Sequence, residues 1–329
     1  MMKICYWTPN AGGGAGKYEY YIPREMEKFG IEVKVFRKPS GFKGNPLTLR
    51  LFYKSDGDIV HATTQTLVIY SYPKPKRFVV TLHDIFPPRK NFELKLKQFL
   101  SLPKLKRADK IIAVSNFTKS EIIGRTKIDE DKIAVIPLGV DLSIYKPMNK
   151  AVCKREFGLN AEEKHILVVS SNAPHKRMDI VKAVFEEVRR RRENVKLVKA
   201  GYGQSLQGRD IINVGYIPEE KMPILYNACD VLLHTSEYEG FGMPLLEAMA
   251  CGLPIVASNK ASIPEVVGEC GRLVNLESGD CVEEFVDNIL DCIDKKERNE
   301  KGIERSKKFS WEIVAKDTMK VYEELLYKG

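Results

Sequence analysis

Short apolar runs alternate along this chain with longer stretches whose apolar positions recur at helical spacing. A brief run that is apolar at every position suits a strand buried on both faces of a parallel sheet, and the 3.6-residue period suits the helices that cover it. In the first half the runs predict strands over Lys3–Trp7, Glu32–Phe36, Ile59–His61, Arg77–Leu82, Ile111–Val114 and Ile133–Ile136. In the second half they predict strands over His165–Ser170, Val195–Ala200, Ile211–Val214, Val231–Leu233, Ile255–Ser258 and Gly271–Val274. With helices between most of them, the expected class is α/β, as two Rossmann-like, doubly wound parallel-sheet domains. The boundary is expected between Asp141 and Lys150, where Tyr145-Lys-Pro147 ends regular structure, giving domains 1–147 and 148–329. Ligands of such sheets lie beyond the carboxyl ends of the strands, here expected in a cleft that both domains face. No internal repeat or low-complexity tract interrupts the pattern.

Composition fits two ordinary cores: 43% of the 329 residues are hydrophobic and 29% charged. No apolar run reaches the roughly 18 residues of a membrane-spanning helix, and the N-terminus lacks a signal-peptide core. A cytoplasmic protein is expected. Seven cysteines without a C-x2-C pair indicate neither a disulfide framework nor a zinc site. Charge divides unevenly. Residues 1–150 hold 27 Lys and Arg against 14 Asp and Glu, net +13, whereas residues 151–329 hold 26 against 30, net −4. Much of the excess falls on Arg89, Lys90, Lys95, Lys97, Lys104, Lys106, Arg107 and Lys110, around Phe92, Leu94, Leu96, Phe99, Leu100 and Leu102. A basic amphipathic segment of this kind suits an anionic membrane surface at the inner face of a cell membrane, or else a solvated charged helix. Nucleic acid is not expected, because no RNP, zinc-finger or helix-turn-helix signature accompanies the charge.

The densest chemistry lies in His234-Thr-Ser-Glu-Tyr-Glu239-Gly-Phe-Gly-Met-Pro244-Leu-Leu-Glu247. An apolar strand runs into a glycine turn and then a helix, with Pro244 suited to the first helical position. N–H groups at that helix start would face an anionic or hydroxyl-rich ligand. Glu239 precedes the helix and Glu247 lies inside it, so the two carboxylates are expected on different parts of one molecule. Upstream, Ser170-Ser-Asn172-Ala-Pro-His-Lys176-Arg177 places two cations between a strand and a helix, a setting for diphosphate. The glycine run Gly12-Gly13-Gly14-Ala-Gly16-Lys17 follows the first strand and offers backbone amides to phosphate. It is neither a Walker A loop nor a dinucleotide fingerprint: Ala11 and Tyr18 break the first pattern, and Lys17 breaks the second. His83 stands where the strand Val79–Leu82 runs out, a position for a ligand-facing group; His61 is a weaker candidate. A metal phosphohydrolase reading of His83-Asp84 lacks its further ligands.

The spacing Glu239…Glu247 and the phrase around it resemble the E-x7-E signature of the family 4 retaining glycosyltransferases, whose two Rossmann-like domains form the GT-B arrangement. The stretches Ala108–Lys119 and Lys132–Asp141 extend the resemblance through the first domain. The resemblance implies a retaining hexosyltransferase that moves a sugar from a nucleoside diphosphate sugar to an acceptor hydroxyl, on a lipid or cell-envelope glycan, without metal or other cofactor. It implies catalytic roles for His83 and Glu239 at the transferred sugar. Glu247 would hold the ribose hydroxyls, Phe241, Gly242 and Met243 would offer backbone N–H groups to the sugar, and Ile217 would border the base. Gly13 and Gly14 would border the diphosphate. Lys176 matches the family's phosphate lysine; the arginine expected before it is replaced by Ser170, Ser171 or Asn172, a loss that Arg177 would make good. The last helix, Trp311–Tyr327, would return to the first domain. A noncatalytic sugar-nucleotide binder and an NAD-dependent oxidoreductase are the competing classes, the latter disfavoured by the broken fingerprint.

Overall fold

The structure, a computed structural model, describes residues 2–9, 11–37, 53–85, 96, 99–203 and 205–327. It comprises two compact units, Met1–Gly139 with Trp311–Gly329, and Val140–Ser310. In the first unit the elements run β1 (Lys3–Thr8), α1 (Gly13–Lys28), β2 (Glu32–Arg37), β3 (Ile59–Ala62), β4 (Phe78–Leu82), β5 (Lys110–Ala113), α2 (Asn116–Thr126) and β6 (Ile133–Val135). The strands form one parallel sheet in the order β2-β1-β3-β4-β5-β6. Alternate residues of the inner strands, Cys5 and Trp7, Val60 and Ala62, Phe78, Val80 and Leu82, Ile111 and Ala113, feed one apolar core. Their neighbours on the opposite face are buried as well, but include the polar side chains of Tyr6, His61 and Thr81.

The second unit contains α3 (Lys150–Glu156), β7 (Lys164–Val169), α4 (Met178–Arg191), β8 (Val195–Ala200), β9 (Ile211–Gly215), α5 (Met222–Ala228), β10 (Val231–His234), α6 (Met243–Ala250), β11 (Ile255–Ser258), α7 (Ile263–Val267), β12 (Arg272–Val274), α8 (Cys281–Lys295) and α9 (Glu300–Ser306). Its sheet is again parallel, in the order β12-β11-β10-β7-β8-β9. Helix α4 buries Ile180, Val181, Val184, Phe185 and Val188, and α8 buries Phe285, Val286, Ile289, Cys292 and Ile293. Both stripes have helical spacing and cover Ile166, Val168, Leu197 and Leu233 of the sheet. Each such side chain contributes about 1.5–3 kcal/mol by leaving water. The chain order reverses between β7 and β10, which makes their carboxyl ends the switch point where a doubly wound sheet opens a crevice. Helix α10 (Trp311–Tyr327) follows this unit in sequence but belongs to the first, where it lies against α1.

All twelve expected strands are present, displaced by a residue at most at either end. Three local expectations need correction. The division between the units falls after Gly139, because Val140–Lys150 is fastened to the second unit: Tyr145 donates to Glu219 at 2.8 Å and the Met148 N–H to Asn227 at 2.7 Å. Gly13 and Gly14 lie in the first turn of α1 rather than in a free loop, and the helix continues through Pro23. The turn demands glycine at Gly16, where a Cβ would lie 2.4 Å from the Ala11 carbonyl oxygen. Pro244 is the second residue of α6, since Met243 already has helical geometry after Gly242 turns the chain at φ 103°. Of the basic segment, Arg89–Lys95 and Lys97 lie outside the described residues.

Candidate functional site

The carboxyl ends of β7 and β10 bring together residues far apart in sequence. β10 delivers His234, and the turn after it delivers Glu239; the turn after β7 delivers Lys176. Lys176 Nζ donates to Glu239 Oε1 at 2.5 Å, and His234 Nε2 donates to the same oxygen at 2.9 Å. All three side chains are largely buried, at 18%, 3% and 12% exposure for Lys176, His234 and Glu239. Burial by itself would disfavour the carboxylate, but the charge of Lys176 and the bond from His234 outweigh it and hold Glu239 well below the usual carboxylate range. Among the described residues Glu239 Oε2 accepts no hydrogen bond, and Lys176 gives only one of its three protons to protein.

Backbone ties make this arrangement rigid. The Thr235 hydroxyl donates to the Lys176 carbonyl at 2.8 Å, and the Glu237 N–H donates to the His175 carbonyl at 2.8 Å. Ser262 Oγ lies 2.9 Å from the Glu239 carbonyl oxygen and 3.0 Å from that of Phe241, while Ser258 Oγ donates to Ser236. The loop is therefore clamped by hydroxyls from β11 and the start of α7. Gly242 is the N-cap of α6, so the N–H groups of Gly242 and Met243 precede any carbonyl they could reach within the helix. Phe241 is buried edge-on to Phe309.

Glu247 is buried in the body of α6, where its Oε2 accepts a 2.8 Å bond from the Tyr226 hydroxyl. Glu239 and Glu247 thus face different surroundings, as their spacing implied. Arg177 departs from its neighbour: its guanidinium is held by Asp179 and, at 2.5 Å, by Glu237. Its backbone takes a left-handed turn at φ 50° into α4. Bonds to Asp179 and then Glu237 raise its already high pKa further. The turn after β8 packs on the turn after β7, for a Cβ at Gly201 would lie 2.6 Å from the Ser170 carbonyl oxygen. Ile217 is half-buried in the connection from β9 to α5.

In the first unit His83 follows β4, and its Nε2 donates to the Thr63 carbonyl at 3.0 Å. That bond fixes the tautomer and leaves the Nδ1 lone pair as an acceptor, buried and without a hydrogen-bond partner among the described residues. Burial pushes the His83 pKa down to about 4, against the opposing bond to Thr63, so the ring is neutral at pH 7. Thr63 Oγ1 in turn reaches Glu19 Oε1 at 3.2 Å, and Glu19 Oε2 accepts the Ala11 N–H at 3.1 Å. The glycine turn of Gly13 and Gly14 and the His83 support are thus joined through one buried carboxylate. His61 is not at the surface of the site; it is wholly buried between Tyr322 and Thr81. His234, Ser262 and Tyr226 were missed from sequence, although His234 opens the acidic phrase five residues before Glu239.

Two parallel doubly wound units, one with a lysine, a histidine and a carboxylate locked together at its switch point, have the layout of a GT-B glycosyltransferase. Residues 149–309 match the family described as "Glycosyl transferases group 1", and residues 37–144 match "Glycosyltransferase Family 4". The chain belongs to the family 4 glycosyltransferases. It is 29% identical over 275 residues to the Escherichia coli O-antigen chain mannosyltransferase B, covering 75% of this chain and 70% of that protein. It is 30% identical over 231 residues to the MMP alpha-(1->4)-mannosyltransferase of Mycolicibacterium hassiacum, covering 66% of this chain and 54% of that protein. In fold it resembles the sucrose-phosphate synthase of Thermosynechococcus elongatus (TM-score 0.81, 18% identity, 100% of both chains). It also resembles Anabaena HepE in complex with UDP (TM-score 0.77, 21% identity, 98% of this chain and 100% of that one).

Proposed function

We propose that the chain transfers a hexose from a nucleoside diphosphate sugar to an acceptor hydroxyl with retention of anomeric configuration. The observation that carries this reading is Glu239: one oxygen is fixed by Lys176 and His234, and the other is open to accept a sugar hydroxyl. A carboxylate held in one orientation positions a sugar ring, and its charge favours the positive character that the sugar develops as the bond to diphosphate breaks. Glu239 is a positioning and electrostatic group, not a nucleophile. The leaving diphosphate is met by the remaining protons of Lys176 and by N–H groups at helix starts of the same unit. Phe241, Gly242 and Met243 present backbone N–H groups to the sugar. Glu247 takes the ribose, with Ile217 bordering the base.

His83 offers a neutral, preset acceptor at Nδ1 to a substrate hydroxyl. Relatives named as mannosyltransferases support a hexose donor, and the fold neighbour that carries UDP supports a nucleotide sugar. The relative named for O-antigen chains supports a lipid-linked or envelope glycan as acceptor. The net charge of +13 over residues 1–150 supports an anionic membrane as the place of work.

A screen of nucleotide sugars by thermal shift, followed by measurement of nucleoside diphosphate release, tests the donor reading. A stabilising donor that is slowly hydrolysed supports it. A stabilising donor that is never hydrolysed or transferred would instead identify a noncatalytic binder.

A further inference from the structure

Beneath the sheet face opposite the main core of the first unit lies a continuous row of buried polar groups. The Tyr6 and Tyr322 hydroxyls are 2.8 Å apart, Tyr322 Oη lies 2.5 Å from His61 Nδ1, and His61 Nε2 lies 2.7 Å from Thr81 Oγ1. Thr81 Oγ1 then donates to the Tyr18 hydroxyl at 3.2 Å. Tyr6, His61, Tyr322, Thr81 and Tyr18 are all wholly buried, so each proton in the row must be used inside the protein.

The direction of every bond follows from one end. Thr81 spends its only proton on Tyr18, so it must accept from His61, which places the imidazole proton on Nε2. His61 Nδ1 is then an acceptor, so Tyr322 donates to it and accepts in turn from Tyr6. At the far end Tyr18 interacts with the Thr318 hydroxyl, whose own proton goes to the Val314 carbonyl at 2.7 Å. A second proton on His61 would leave two donors facing Tyr322, and burial together with the neighbouring His83 opposes it as well. The row therefore has one proton arrangement, and it spans β1, α10, β3, β4 and α1.

Tyr18 is where this row meets the site. Its ring stands edge-on to His83, with centroids 5.4 Å apart at 78°. It is also edge-on to His61 and to Trp311 of α10. The ring of His83 is thus held on one side by the bond to Thr63 and on another by an aromatic ring whose hydroxyl end is anchored in the row.

We infer that Tyr18 is a positioning residue for His83, locked by the directed row Tyr6–Tyr322–His61–Thr81–Tyr18, so that α10 governs turnover through side chains that never touch substrate. This rests on the reading of His83 as a substrate-facing group. Tyr18→Phe keeps the ring and removes the lock, and Tyr322→Phe breaks the row at α10. Misplacement of a positioned group by about 1 Å can cost on the order of 10²-fold in rate, and a partial loosening is expected to lower kcat about tenfold in each variant. The KM for donor should change less than about twofold, because neither substitution removes a group assigned to hold the donor.

The measurements are kcat and donor KM well below each variant's melting temperature, with nitrogen NMR of the histidines in the wild-type protein. The inference predicts a neutral, Nε2-protonated His61 between pH 5 and 8, whether or not a variant folds well. A His61 protonated at Nδ1 or carrying charge in that range overturns the row. Folded Tyr18→Phe and Tyr322→Phe proteins with unchanged kcat, while His83→Ala is inactive, overturn the positioning role alone. A fully active His83→Ala protein overturns the reading of His83 itself, and the positioning role falls with it.

Discussion

Replacing Glu239 by glutamine keeps the shape of the side chain and removes its charge, which makes Glu239→Gln the sharpest probe of the cluster. Two donors converge on Oε1, one an ammonium at 2.5 Å and one an imidazole N–H at 2.9 Å. Hydrogen bonds to charged groups contribute roughly 1.5–3 kcal/mol each, and glutamine still accepts through its carbonyl oxygen; the expected loss of stability is therefore about 2–3 kcal/mol, most of it from leaving Lys176 partly buried without a counter-charge. Turnover should fall further than stability suggests, by on the order of 10²-fold, because the charge opposite the developing sugar cation is gone. The sign with pH is fixed. Glu239 has a folded pKa below its unfolded value, so its contribution is fully present above about pH 4.3 and is lost only as pH falls toward the folded value. Urea unfolding of wild type and Glu239→Gln should therefore show a constant gap from pH 8 to 5 that closes in stronger acid. Initial rates of nucleoside diphosphate release give the catalytic loss. A folded variant within threefold of wild-type turnover would falsify the role of Glu239, and a stability gap that widens in acid would refute the electrostatic account.

Lys176→Met should weaken nucleoside diphosphate more than tenfold by calorimetry while leaving free nucleoside little changed; Arg177→Gln should change either by less than about threefold, since Asp179 and Glu237 already hold that guanidinium. Tyr226→Phe should weaken nucleoside binding without lowering kcat, because the Tyr226 hydroxyl orients Glu247; a loss confined to kcat would place Glu247 at the reacting centre instead. Burial pushes His61 down to about 3 and His83 and His165 to about 4, so the unfolded chain takes up protons first as pH drops below 6.5. Stability measured by urea should then fall between about pH 6.5 and 4, by up to about 1.4 kcal/mol per pH unit for each histidine, and a flat profile there would show the rings to be accessible to protons. Phe99 and Leu100 are exposed near Lys104 and Lys106, and Arg107 lies over the exposed Tyr72 ring; changing Phe99 to Ser with Lys104 and Lys106 to Glu should reduce sedimentation with anionic vesicles at low salt and spare donor hydrolysis.

The strands were legible because a parallel sheet covered on both faces forces each central strand to be apolar at nearly every position, and few other structures ask for that. The placement of the two carboxylates, Glu239 in the turn after a strand and Glu247 within the next helix, was legible through the glycine turn and Pro244 between them. The start of α1 was not, for a run of glycines looks like a loop until the close approach of Gly16 to Ala11 shows that the first turn requires it. His234 ends an apolar strand just as His83 does, so the same signal was present; what the sequence did not show was its partner, which appears only when the chain returns at Glu239. Arg177 shows a different limit of the sequence. Its charge suggested phosphate, but Asp179 two residues later and Glu237 from the turn after β10 compete for the same guanidinium. The polar row through His61 was illegible for a further reason: Tyr6, His61, Thr81 and Tyr322 come from four elements and become one network only when α10 packs in the first unit.

The cluster at the switch point also explains why its members are so far apart in sequence. β7 and β10 are neighbours in the sheet although β8 and β9 intervene in the chain, so Lys176 and Glu239 are 63 positions apart yet in contact. Each is placed by a turn at its own strand end, and the bond from Thr235 to the Lys176 carbonyl ties one turn to the other. The result is an ion pair with two different open edges: a carboxylate oxygen on one side and ammonium protons on the other. Heterolysis of a sugar–phosphate bond creates those two charges in reverse, a cation on the sugar and an anion on the diphosphate. In the proposed transfer, one ion pair held before the substrate arrives would therefore stabilise both as they form. That preorganisation depends on the strand order, since moving either turn by one strand would separate the charges by a further strand spacing of about 4.8 Å and dissolve the pair.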